Sequence, residues 1–164
     1  MTGCAPSLHD TVARGDVQSV RMMLERDPQL ANARGHLDKT PLHYAVTYKQ
    51  SECLELLLRH GADINVPDYT GMTPLHVAAM LGRKEEAEWL LDHGAELEPR
   101  DIFGDTPLMT AAIFGNGHIV ELLWRRGADL HARNNDGRNA LELARHYRQE
   151  RAEKFIERLM SRQR

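Results

Sequence analysis

The sequence predicts an all-α solenoid, a row of helix pairs stacked side by side, and three interleaved ladders predict it. Thr40-Pro41-Leu42-His43, Thr73-Pro74-Leu75-His76 and Thr106-Pro107-Leu108-Met109 stand 33 residues apart, and Asn139-Ala140-Leu141 follows at the same interval. Gly61-Ala62-Asp63, Gly94-Ala95-Glu96 and Gly127-Ala128-Asp129 keep the same step, as do Gly71, Gly104 and Gly137. A fixed period of this length is the signature of stacked supersecondary units. Such a stack works through its surface rather than through a buried reaction centre.

The unit from Lys39 to Gly71 shows how each is built. Thr40 is a good N-cap, and Pro41 takes the first helical position, where its missing N–H costs nothing. Leu42, Ala45 and Val46 give the three-to-four spacing of a buried stripe, and Gly82 and Gly115 close the matching helices of the next two units. A second helix follows from about Glu52 to His60, with Glu52 and Glu55 early and Arg59 and His60 late, as the helix dipole favours. Its apolar face is Leu54, Leu57 and Leu58. Gly61 ends it, and the chain runs on to a turn at Asp68-Tyr69-Thr70-Gly71. By the same reading, helices are expected near 41–49 and 52–60, 74–82 and 85–93, and 107–115 and 118–126, with hairpin tips near 69–71, 102–104 and 135–137. One apolar side per helix leaves every unit dependent on its neighbours.

Leu8 to Gly35 reads as a worn copy carrying one extra residue at Asp27-Pro28-Gln29, and Arg138 to Met160 as another, with Ala152, Phe155, Ile156 and Leu159 as the stripe of its highly charged second helix. End units are expected to diverge because each shows one face to water. The expected domain is 7–160, in units of about 7–38, 39–71, 72–104, 105–137 and 138–160, with 1–6 and 161–164 as flexible ends.

Composition narrows the function. Of 164 residues, 41% are apolar and 27% charged, as in an ordinary folded domain. The net charge of −3 leaves no electrostatic footprint for nucleic acid. The stretch from Arg138 onward is basic, with eight Lys or Arg against four Asp or Glu, but lacks the aromatic and aliphatic face of a membrane-surface helix. No apolar run approaches the ~18 residues of a membrane span. Cys4 and Cys53 cannot form a disulfide framework or a structural zinc site on their own. The opening Met-Thr-Gly-Cys-Ala-Pro has no apolar stretch for a secretory leader. A cytoplasmic monomer without metal or other cofactor is expected. No nucleophile–base pair, phosphate-binding glycine loop or acid dyad stands at a usable spacing, so the chain is not expected to be an enzyme.

Thr-Pro-Leu-His-x-Ala, Gly-Ala-Asp-x-Asn and Asp-x-x-Gly at a 33-residue period resemble the ankyrin repeat, and the match covers about residues 7 to 160. The resemblance implies a curved stack of antiparallel helix pairs with projecting β-hairpin loops. It also implies recognition of a protein partner by the concave palm and the fingertips. Within it, His43 and His76 are structural, bonding the motif threonine and the neighbouring hairpin backbone, and Met109 forgoes that bond.

The sites that the family leaves free to vary are bulky here. At the ends of the first helices stand Tyr48, Leu81, Phe114 and Tyr147, preceded in the next two units by Met80 and Ile113. At the hairpin tips stand Leu37, Tyr69 with Met72, and Ile102 with Phe103. These side chains either fill gaps between units or form a contiguous binding strip, and the strip is the reading chosen, because Tyr, Phe and Met are enriched at interfaces. Arg100 and Arg133 offer it a charged rim. Asn65 in Asp63-Ile64-Asn65, with Leu57 eight residues earlier, resembles ankyrin asparagines modified by a β-hydroxylase, which gives an alternative reading of the chain as a modification substrate.

Overall fold

The computed structural model describes residues 7–161 and shows a helical stack. Its helices are α1 (Leu8–Arg14), α2 (Val17–Arg26), α3 (Pro41–Thr47), α4 (Ser51–Arg59), α5 (Pro74–Leu81), α6 (Lys84–Asp92), α7 (Pro107–Ile113), α8 (Gly117–Arg125), α9 (Ala140–His146) and α10 (Glu150–Ser161). The odd-numbered helices pack on one another in sequence as an inner layer, and each packs on its even-numbered partner in the outer layer. The boundaries lie within two residues of those read from the periodicity. The last helix runs on to Ser161, one residue into the end expected to be flexible at 161–164; the rest of that end, and 1–6 with Cys4, lie outside the described residues.

Local chemistry starts and stops each helix. Thr40 and Thr73 sit in extended backbone and complete capping boxes with His43 and His76, while Asn139 does so with Glu142. The extra residues of the first unit form a 3-10 turn over Pro28–Asn32, begun by Asp27, whose side chain accepts from the Gln29 N–H. Gly82 and Gly115 close their helices in the left-handed region, with φ of 65° and 74°. The same place in the second and fifth units is filled by Lys49 and Arg148, both at φ 58°. There a side chain carries the strain that glycine avoids, and the packing around the turn holds it.

The core is a set of ladders with the sequence period. Ala45, Ala78, Ala111 and Ala144 are fully buried, and these small side chains let the inner helices approach closely. Leu57, Leu90, Leu123 and Ile156 form a second fully buried ladder on the outer helices. A third runs through Cys53, Glu86, Ile119 and Ala152, and Glu86 breaks it: a carboxylate only 4% exposed stands where the other units place apolar groups. Its Oε2 has no hydrogen-bond partner among the described residues, nor does Nε of nearby Arg83, whose Nη2 donates to the Thr47 carbonyl at 3.1 Å. The outer layer is also looser here, α4 and α6 coming less close than its other consecutive pairs. An unsatisfied buried polar group costs about 1–3 kcal/mol.

Two stability measurements check this packing. Leu75, 1% exposed between inner helices, should lower unfolding free energy by about 2–5 kcal/mol when changed to Ala, because the cavity collapses only in part. Chemical denaturation with an unchanged midpoint would contradict that placement. Glu86→Ile, which installs the residue type of position 119, should raise stability by about 1–3 kcal/mol through removal of the orphaned carboxylate.

Candidate functional site

Hydrogen bonds between units fix the framework on which the candidate site stands. His43 Nδ1 accepts from the Thr40 N–H at 3.2 Å, and its Nε2–H donates to the Met72 carbonyl of the next unit at 3.0 Å. His76 repeats this with the Thr73 N–H at 3.1 Å and the Asp105 carbonyl at 3.0 Å. His9 reaches the Ala33 and Lys39 carbonyls, both at 3.0 Å. Met109 has no such bond to give, and Asn134 instead donates across the same junction to the Asp105 carboxylate at 2.8 Å. These histidines are structural, as the resemblance implies. His60 and His93 cap their helix ends through Nδ1–H bonds to the Leu56 and Trp89 carbonyls.

The fingers are held by side chains rather than by strands. Asp68 Oδ1 accepts from Thr70 and Met72 N–H, Asp101 Oδ1 from Phe103 and Asp105, and Asn134 Oδ1 from Asp136 and Arg138, all within 3.1 Å. Successive tips are then joined by backbone bonds of 3.0 Å, from Tyr69 N–H to the Leu37 carbonyl, Ile102 to Thr70, and Asn135 to Phe103. Gly71 is required for this approach: at φ 80°, a Cβ there would stand 2.9 Å from the Ile102 nitrogen. Arg100 and Arg133, expected as a charged rim, are tied into the fingers. Arg100 Nη1 donates to the Gly104 and Arg133 carbonyls at 2.8 and 2.7 Å, and Arg133 binds the Gly137 carbonyl and, at 3.0 Å, Glu142. Arg100 staples its finger to the next, and Arg133 ties its own finger to α9.

With the tip backbone satisfied, its side chains are free to project. Tyr69 is 66% exposed, Ile102 57% and Phe103 61%, while at the inner-helix ends Tyr48 and Phe114 are each 52% exposed and Tyr147 50%. Leu81 is exposed as well. Met72, Met80 and Ile113 are partly buried, and Met72 and Ile113 pack against the core. Six of these side chains meet in one cleft of about 330 Å³ between fingers and palm: Met72, Met80, Phe103, Ile113, Phe114 and Tyr147. Tyr48, Tyr69, Leu81 and Ile102 lie outside it. Asp101, Asp105, Asp136 and Arg138 supply its charged lining, which the sequence reading missed, and Thr110, Asn134 and Leu143 complete it. A signal was present, since 105 and 138 repeat the variable position of Met72 at the 33-residue step.

Burial, and then the like charges of Asp101 and Asp136, hold the Asp105 carboxyl above the usual carboxylate range. The thiol of Cys53, buried, is pushed up to about 11 by desolvation, the opposite of an activated nucleophile. Asn65 lies on a bridging bond: its Oδ1 accepts from the Glu96 N–H at 2.8 Å, as Asn32 Oδ1 does from Asp63 at 2.7 Å. Among the described residues no cluster of three or more ligating side chains could hold a metal, and no helix is long and apolar enough to cross a membrane.

Compared with known families, residues 8–101 match the model for ankyrin repeats in three copies, and residues 103–135 match that for a single ankyrin repeat. The serine/threonine-protein kinase VIK of Arabidopsis thaliana is 40% identical over 55 residues, 34% of this chain and 13% of that protein. The target of rapamycin complex 2 subunit AVO2 of Saccharomyces cerevisiae is 33% identical over 64 residues, 39% of this chain and 15% of that one. The probable E3 ubiquitin-protein ligase XBOS33 of Oryza sativa subsp. japonica is 39% identical over 74 residues, 42% of this chain and 14% of that protein. The chain therefore aligns with 13 to 15% of the length of these curated relatives.

The histidine rungs make stability depend on pH. Desolvation lowers the His43 pKa from 6.5 to about 4, and His76 shifts in the same direction. The fold holds these rings neutral, so below pH 6.5 the unfolded chain takes up protons first. Stability is full above 6.5 and falls towards pH 4, by about 3 kcal/mol through His43. Denaturant titrations across that window should show a shallower slope for His43→Met than for the wild type.

Proposed function

The chain belongs to the ankyrin-repeat family, whose repeats are protein–protein interaction modules, and from that premise we propose that it is a non-enzymatic module gripping a protein partner in its concave palm and fingertips. One observation carries the reading. Large apolar side chains stand exposed at the inner-helix ends and tips of successive units, at Tyr48, Tyr69, Phe103, Phe114 and Tyr147. The stack does not need them there, since its ladders of Ala and Leu are already filled. Exposed apolar patches of this kind mark interaction sites.

The charge staples and tip ladder present these groups on a framework fixed before binding, which limits the entropy lost on association. The framework's Asn65 serves as a bridge between units, and nothing about that hairpin favours its modification over binding. Cytoplasmic residence and a monomeric state belong to the same proposal; the cysteine usage that motivates the first includes Cys53, a buried free thiol.

The test pairs stability with binding on single variants. Phe114→Ala should leave unfolding free energy within about 0.5 kcal/mol of the wild type, as for a surface change. Its affinity for partner should fall by about 2 kcal/mol, since interface energy concentrates in a few aromatic anchors. Phe103→Ala should behave alike. A variant that loses several kcal/mol of stability while binding normally would show that the ring is packing between units.

A further inference from the structure

The cleft at the C-terminal half of the concave face is aromatic on its walls and acidic where finger meets palm. Phe103 stands at a fingertip, and Phe114 and Tyr147 follow the last turns of α7 and α9. Asp101, Asp105 and Asp136 bring three carboxylates to the same space against two guanidiniums, that of Arg138, which lies 4.0 Å from Asp136 in a loose pair, and that of Arg100, whose charge reaches Asp105. Asp105 is only 6% exposed, and the bond from Asn134 engages one of its oxygens. Burial, with the charges of Asp101 and Asp136 beside it, holds the Asp105 carboxyl above the usual carboxylate range, and three carboxylates against two guanidiniums leave the cleft net negative.

Resting on the protein-binding reading above, we propose that this cleft receives an arginine side chain from an extended segment of the partner. Its guanidinium meets Asp101, Asp105 and Asp136, and its methylene stem lies against Phe103, Phe114 and Tyr147. Charge complementarity selects the cation. The aromatic walls select arginine over lysine, because a planar, weakly hydrated guanidinium stacks on rings and forks onto carboxylates, whereas an ammonium is a strongly hydrated point charge. A cleft of about 330 Å³ suits one long side chain and the backbone beside it. The arginine staples of the fingers do not line the cleft, and Nη1 of each is held by carbonyls and, for Arg133, by Glu142.

A library of random dodecapeptides displayed on phage, panned against the full chain and against its Phe114→Ala variant, tests this. Peptides lost with Phe114→Ala should be enriched in arginine. In a synthetic peptide from that set, citrulline, the neutral isostere, in place of the arginine should weaken binding at least tenfold, and lysine should weaken it measurably. The double variant Asp101→Asn and Asp136→Asn should reproduce the citrulline loss. It should keep the tip turns, because the next finger already uses Asn134 at the position of Asp101. Peptides that depend on Phe114 but show no arginine enrichment, or that bind equally as citrulline or lysine forms, overturn the arginine proposal and leave the binding face standing. If no captured peptide depends on Phe114, the binding-face reading fails and this proposal falls with it.

Discussion

A neutral imidazole, buried and bonded on both sides, sets the register from which the rest of the stack follows. His43 accepts a hydrogen bond from the Thr40 N–H at one nitrogen and donates one to the Met72 carbonyl from the other. The first bond starts its own helix, and the second fixes the next unit's hairpin at a set distance. Helix initiation and unit stacking are thus one constraint, met by one ring. Only the neutral tautomer satisfies it, and burial keeps the ring in that form. His76 repeats the device one unit on, and the close approach of successive fingers at Gly71 and Gly104 depends on the spacing these rings impose.

The stack tolerates interruption because other groups bridge the same junctions. Where Met109 replaces the histidine, Asn134 ties the next finger to Asp105. On the outer side, Gln50, Arg83 and Asn116 each reach back to carbonyls at the end of the preceding inner helix. At the hairpins, Asn32, Asn65 and Glu98 each accept an N–H from the following unit. Each junction therefore carries several weak ties rather than one strong one. Nearest-neighbour coupling of this kind lets one seam be looser than the rest, as it is around Glu86.

Rigidity inside and exposure outside have a common origin. Because the fingers satisfy their own backbone groups through Asp68, Asp101 and Asn134, the tip side chains carry no structural duty and remain in solvent. The aromatic residues that follow the inner helices sit just beyond the last buried turn, where the chain reverses and the side chain leaves the core. The proposed binding face is thus a consequence of how the units close, and its composition is free to differ between units without loss of fold.

The sequence alone determined the period, the helix pairs and their ends. Each is set within a single unit by caps, apolar spacing and left-handed turns, and interactions that local are legible residue by residue. It also marked Phe103, Phe114, Tyr147 and their neighbours as bulky groups at variable places. Which of them share a cleft was decided only by the tertiary structure, because that depends on the rise and curvature accumulated between units. The same holds for the finger arginines. Arg100 reads as part of a charged rim until the next finger brings the Arg133 carbonyl within 2.7 Å. Asp105 and Asp136 join the cleft for the same reason, and Glu86 becomes an orphaned carboxylate only when its neighbours close over it. Periodicity fixes what each unit is; the desolvation and proximity that give a side chain its chemistry arise between units, where no local pattern records them.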